Sequence, residues 1–267
     1  MSRPLQQDDR VQLVVDGRPV LSYLLMAGQP PTADDARPLA DSDTVASAVM
    51  TQLPGWQFSS SHDRLTDALL QRGCTVARHG HLFTIDLLAH RPDSSWQAPE
   101  LALDRPTTGE LRVTPLDRPA RELVGLSLAA YPPGHPDAET QDPSQVEADI
   151  DALLTGGAIG PLLEASAIVW DADTPVAMTI INRMPGEPPM GGPWVSEVCR
   201  APDAAYRGVG SALLRNAMVQ LAGAGEASLS LVVTEGNPAR EAYERLGFRY
   251  VDSFRKLQIP PMTGQED

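Results

Sequence analysis

The residues of this 267-residue chain that are best placed to do chemistry lie between Trp194 and Phe248. The stretch WVSEVCRAPDAAYRGVGSALL, residues 194–214, opens as a β-run. It turns at Pro202-Asp203, narrows to Gly208-Val209-Gly210, and continues as a helix with Ala212, Leu213, Ala217 and Leu221 along one side. Glycines let a backbone approach a ligand, and the first N–H groups of a helix have no partner within it. The joint through Gly208, Val209, Gly210, Ser211 and Ala212 therefore offers an anion, such as a phosphate, backbone donors and the positive end of a helix dipole. A dinucleotide fingerprint would need a third glycine where Leu213 stands. A P-loop would need Gly-Lys, and Lys256 is the only lysine in the chain. Both motifs are excluded.

A second segment, EGNPAREAYERLGF at residues 235–248, follows a β-run with Leu229, Leu231 and Val233 on one face. Pro238 suits a helix start, where its missing N–H would be unpaired anyway, and Gly247 suits the position just past a helix end. Together the two segments resemble the acetyl-CoA binding core of the GNAT family of N-acetyltransferases. That core carries a Gln or Arg, two residues, Gly, one residue, and Gly or Ala at the start of a helix that follows a strand. Gly208 and Gly210 match the two small positions, and Pro202 stands six residues before the first. Ala205 departs from the pattern at its leading position, and Arg207 is the side chain able to substitute there.

The resemblance implies a cofactor-binding set: Val198, Cys199, Arg200, Arg207, Gly208, Val209, Gly210, Ser211, Ala212, Asn237, Ala239 and Tyr243. Asn237 would meet the pantetheine arm, and Tyr243, four residues before Gly247, would face the CoA sulfur. Acetyl-CoA is the implied acyl donor, an amine the acceptor, and no metal is called for. A free alkyl ammonium has a pKa of about 10, so a base must take a proton from it, and the departing thiolate benefits from an acid. Tyr243, a phenol protonated at neutral pH, fits the acid; a core aromatic on an amphipathic helix is the other reading of it. No histidine follows His135, which leaves Glu197, in the strand position that many family members use for a base or water anchor. Its alternative is a structural pair with Arg200 or Arg207. Strict alternation places Val195 and Cys199 on the face of Glu197. Cys199 reads as a small strand residue rather than an acyl-carrying nucleophile, so direct attack in a ternary complex is expected, and the resemblance implies that backbone N–H groups near residues 198–200 polarise the carbonyl.

The remaining elements must position these groups. Residues 10–26 read as a hairpin turning at Asp16-Gly17, residues 29–43 as loop, and residues 44–53 as a short helix. A strand at 56–60 follows, then a helix at 63–71 capped by Asp63 or Ser61 and ended by Gly73, then strands at 74–78 and 81–88. The order returns later. Residues 10–26 parallel 166–184, and DRLTDALLQRGCTVARHGHLFTIDL parallels PAREAYERLGFRYVDSFRKLQI, with no GxG in the first copy and Leu69 in place of Tyr243. The expectation is a degenerate GNAT-like lobe at residues 1–100 that binds no CoA, a linker at 101–108, and a catalytic GNAT domain at 109–267. The fold class is α/β (α+β), a mixed central sheet flanked by helices. A strand at 111–116, helices at 118–130 and 146–154, and a proline-rich loop between them complete the second copy. The resemblance implies that this loop lines the acceptor site, which makes Tyr131 and His135 the candidate substrate contacts; a solvated loop histidine is the other reading of His135.

A net charge of −14 disfavours nucleic acid as a partner. No apolar stretch reaches membrane-spanning or signal-peptide length, and two cysteines in separate apolar runs suit a reduced compartment; the sequence predicts a soluble cytoplasmic protein. Two lobes in one chain allow either a monomer that mimics a dimer or a true homodimer. The reading set against catalysis is a non-catalytic acyl-CoA binding or regulatory module.

Overall fold

The computed structural model describes residues 10–26, 30–96, 111–138 and 140–262. They pack as two compact units. One takes the described residues up to His81 together with those from Asp252; the other is Leu82–Val251. The partition at residues 1–100 and 109–267 that the sequence suggests runs along the chain, whereas the first of these units also takes a segment from the far end of it and the second is continuous. The expected linker, residues 101–108, lies outside the described residues.

In the first unit the hairpin of β1 (Arg10–Val15) and β2 (Arg18–Met26) turns at Asp16 and Gly17, both with positive φ. The segment expected to be loop contains β3 (Thr32–Pro38), antiparallel to β2. Aspartates and terminal prolines hide this strand from propensity. It also breaks alternation: the ladder shifts between Ser22 and Leu24, and Asp35 sits at φ 43°, tied by its carboxylate to Arg10 at 2.8 Å and Arg37 at 2.7 Å. Helix α1 (Ser42–Gln52), capped by Asp41, carries the chain to β4 (Gln57–Ser60), which runs parallel to β3. Helix α2 (Asp63–Gln71) starts at His62 without a side-chain cap, so neither Asp63 nor Ser61 fills that role. The two strands expected after it are one, β5 (Thr75–Asp86). The last strand, β11 (Arg249–Gln258), lends its Asp252–Gln258 portion to this unit, antiparallel to β4.

The second unit is a three-layer sandwich. Its sheet runs from the Leu82–Asp86 portion of β5 through β10 (Ser228–Thr234), β9 (Gly192–Arg200), β8 (Thr174–Met184) and β7 (Ala167–Asp171) to β6 (Leu111–Pro115). On one face lie α5 (Val209–Gly223) and α6 (Ala239–Arg245); Leu214, Ala217, Met218 and Leu221 of α5 and Leu246, the cap of α6, pack on Phe83, Ile181, Val195, Leu229, Leu231 and Val233. On the other lie α3 (Val124–Ala130), entered through a 3-10 turn at Ala120–Glu122, and α4 (Pro143–Leu154). Leu123, Leu126, Val146 and Ile150 there pack on Ile168, Trp170, Met178, Ile180 and Cys199. The helical stretches at 118–130 and 146–154 expected from the sequence are thus present, the first beginning as a 3-10 turn.

Candidate functional site

Two devices of the second unit make the site. The first is the end of β9. Strands β9 and β10 are parallel and joined through α5, and their register covers only Ser230↔Trp194 and Leu231↔Val195. Among the described residues β9 continues to Arg200 paired with β8 alone, so the β10-facing edge of residues 196–200 is not used by the ladder. Beside this opening Gly208 caps α5 in the left-handed region, φ 93° and ψ −14°, with no side chain supplying a cap. A Cβ at Gly208 would meet nothing within 4 Å, and one at Gly210 only Val198 Cγ2 at 3.8 Å. Open space lies over Gly208, and Gly210 faces Val198 at ordinary contact distance. The N–H of Ala212 is already bonded to Gly208 O at 3.0 Å, so Val209, Gly210 and Ser211 carry the amides that precede the first intrahelical bond. The chain reaches this cap through a 3-10 turn at Ala204–Tyr206 held by Asp203, which accepts from Ala205 N at 2.8 Å, and by Tyr206, whose hydroxyl donates to Asp171 at 2.8 Å. Arg207 is exposed. Arg200 turns onto the same loop and donates to the carbonyls of Ala201 and Asp203.

The second device is a β-bulge. Ile180 pairs with Glu197 and the next residue, Ile181, with Val195, which leaves Ser196 as the extra residue on β9. Alternation fails there: Val195 goes to the α5 face, while Glu197 and Cys199 share the α3 face. The placement of Val195 beside Glu197 is therefore corrected by the bulge.

Around Glu197 the structure gathers residues far apart in sequence. The Tyr131 hydroxyl, at the end of α3, donates to Glu197 Oε1 and lies 3.2 Å from Val198 O. Burial, and then the Glu197 charge, push this phenol well above its usual pKa. His135 packs on Tyr131 with ring centroids 5.1 Å apart and accepts from Asp137 N through Nδ1. Asp137 Oδ2 in turn accepts from Asn237 Nδ2, whose Oδ1 caps Ala239 N at 2.8 Å. Tyr243 is 9% exposed, and burial, then Asp137 and Glu197, push its phenol far above the ordinary value, so it stays protonated. Burial, with Glu197 behind it, likewise holds the Cys199 thiol well above its usual value, the wrong direction for a nucleophile.

The sequence-derived set therefore separates into two groups. Glu197, Tyr131, His135, Cys199, Asn237, Ala239 and Tyr243 form one connected cluster, and residues 207–212 with Val198 form the glycine joint. Arg200 points elsewhere. Sequence reasoning missed Asp137, in a proline-rich loop with no motif, and Ser196, which alternation assigns to the other face.

The family model for FR47-like protein matches residues 190–256, the segment that holds β9, the glycine joint and α6. A GCN5-related N-acetyltransferase from Sphaerobacter thermophilus superposes with a TM-score of 0.62 at 12% identity, covering 94% of this chain and 80% of its own. One from Kribbella flavida gives 0.53 at 16%, covering 96% and 91%. A conserved protein of unknown function from Staphylococcus epidermidis gives 0.59 at 13%, covering 94% and 95%. No curated protein matches the sequence. The chain has the GNAT fold, and among its described residues no helix is long and apolar enough to cross a membrane.

Proposed function

We propose that this GNAT-fold chain is an acetyl-CoA-dependent N-acetyltransferase that acts by direct attack in a ternary complex. The observation that carries the reading is the pairing of an open glycine joint at Gly208 with a buried, protonated phenol and a strand carboxylate in the same unit. Acetyl-CoA, when bound, supplies the thioester carbonyl and the thiolate leaving group. Val209, Gly210 and Ser211 hold the phosphates with backbone amides, and Arg207 adds the charge that Ala205 lacks. The free edge of residues 198–200 offers N–H groups to the carbonyl. Asn237 and Ala239 border the pantetheine arm.

Glu197 takes the proton of the acceptor amine, directly or through water, with its carboxylate oriented by the Tyr131 hydroxyl. Burial, and then the neighbouring carboxylates, disfavour a phenolate at Tyr243, so it keeps its proton and donates a hydrogen bond to the departing sulfur, while the proton taken by Glu197 passes on to the thiolate. Cys199 takes no part. His135 and Tyr131 border the acceptor. The first unit, lacking a GxG joint, is a silent copy of the fold, and the protein works as a soluble cytoplasmic enzyme.

Calorimetric titration with acetyl-CoA tests the reading: one site per chain is expected, followed by thiol release with an amine acceptor. Two sites would overturn the silent first unit, and no site would overturn the donor assignment. A second reading, an acyl-CoA binding module without catalysis, is favoured by Ala205 at the position where the family has Gln or Arg. Binding without thiol release across an amine panel would establish it instead.

A further inference from the structure

We infer that Asn182 and Ser196 form a positioning latch, which locks the β9 bulge and so keeps Glu197 directed at Tyr131 and the reacting centre. The catalytic part of this inference rests on the proposed acyl transfer; the geometric part stands without it. Asn182 is fully buried, and every polar function of its amide is used. Nδ2 donates to Leu153 O and to Gly160 O, each at 2.8 Å, and Oδ1 accepts from Ser196 Oγ at 2.6 Å. A flipped amide would set its oxygen against two carbonyls, so the orientation is fixed.

The two carbonyls belong to the end of α4 and to the loop after it. That loop is clamped to β8, with Arg183 N donating to Pro161 O and Leu163 N to Ile181 O, both at 2.8 Å. Gly160 makes this approach feasible: at φ 144°, a Cβ there would stand 2.2 Å from Arg183 O. Asn182 thus fixes one end of its bond to Ser196 in a rigid frame.

Ser196 is the β9 residue without a register partner on β8. A bulge is free to relax or migrate unless something holds the extra residue, and a one-residue slip exchanges the faces of its neighbours. Val195 and Glu197 are those neighbours. Were they exchanged, the carboxylate would leave Tyr131, Cys199 and Tyr243 and enter the apolar layer under α5, an expensive place for a charge. The Ser196 hydroxyl is the handle by which the frame prevents this. Ser196 and Asn182 are positioning residues: neither touches the reacting atoms.

The experiment compares wild type, Ser196→Ala and Ser196→Thr in the full chain, because Ser196 is partly exposed and its replacement leaves the two bonds from Asn182 Nδ2 to the α4 frame in place. Three quantities are measured: acetyl-CoA affinity by calorimetry, kcat for thiol release with a saturating amine, and the carboxyl titration of Glu197 by carbon NMR, assigned with Glu197→Gln. Ser196→Ala is expected to leave acetyl-CoA affinity within about twofold and to lower kcat about tenfold. It should also raise the Glu197 titration midpoint by roughly one pH unit as the Tyr131 hydrogen bond loosens. Ser196→Thr, which keeps the hydroxyl, should restore both. An unchanged Glu197 titration and kcat in Ser196→Ala would overturn the latch. If wild type neither binds acetyl-CoA nor releases thiol, the functional reading fails, while the NMR titration still decides the latch.

Discussion

Two helix-to-strand corners of this molecule share one backbone construction and place different side chains four residues before the glycine, Leu69 in one and Tyr243 in the other. Where α2 gives way to β5, Gly73 has φ 94°, and its N–H and that of Cys74 return to Leu70 O and Leu69 O at 3.0 and 3.2 Å. Where α6 gives way to β11, Gly247 has φ 96°, and its N–H and that of Phe248 return to Glu244 O and Tyr243 O, both at 3.1 Å. A left-handed glycine and paired return bonds satisfy the last carbonyls of each helix. Leu69, at the first corner, is fully buried in a cluster with Val45, Phe58 and Leu65. Tyr243, at the second, is buried near Asp137 and Glu197, and burial first, then their charges, hold its proton in place. The corner is therefore a folding device. What makes one of them a candidate for chemistry is what the strand and loop opposite it bring.

Breaking the chemical member of the pair at its partner joint should have the largest effect. Gly208→Val meets φ 93°, which a β-branched residue rarely adopts, and fills the open space over the helix end. Acetyl-CoA affinity should fall about a hundredfold or more, equivalent to roughly 3 kcal/mol. Affinity equal to wild type would remove the phosphate assignment.

The corners themselves can then be contrasted directly. Leu69→Ala leaves a cavity in a closed core and should cost about 2–5 kcal/mol of stability by denaturant unfolding while sparing acetyl-CoA binding. Tyr243→Phe keeps the ring and should lower kcat about a hundredfold, with acetyl-CoA affinity and stability little changed. Loss of stability without loss of rate in Tyr243→Phe would make this tyrosine a packing residue like Leu69.

The smallest effect is a pH dependence. The phenols of Tyr131 and Tyr243 are both raised in the folded state relative to an ordinary value near 10. Below that pH each is protonated whether the chain is folded or not, and stability is intact. Above it the unfolded chain releases protons that the folded chain keeps, so stability falls as pH rises. Melting temperature in wild type should drop more steeply between about pH 10 and 11 than in the Tyr131→Phe, Tyr243→Phe double variant. Parallel curves would place both hydroxyls in contact with solvent.

Much of this was legible in the amino-acid sequence because it is local. The GVG joint, Pro238 before α6, Gly247 after it and the hairpin at Asp16-Gly17 depend on a few consecutive residues whose backbone requirements are strong. Family-like spacing also marks Tyr243 and Glu197 as candidates. Strand β3 escaped, since its pairing with β2 and the Arg10–Asp35 ion pair, not its own residues, hold it extended.

Only the tertiary structure decided the rest. The partnership of Tyr131 with Glu197 spans 66 residues, and that of Asp137 with Asn237 spans 100; no periodicity reports contacts at such separations. The division into units draws on both ends of the chain for the same reason. The face of Glu197 turned on one extra residue in β9. A period-two pattern assumes an unbroken ladder, and a bulge at Ser196 is created by register with β8 and by the buried Asn182, which the strand's own sequence does not contain. The sequence determined which groups are available and which backbone turns are permitted; packing determined which of them meet.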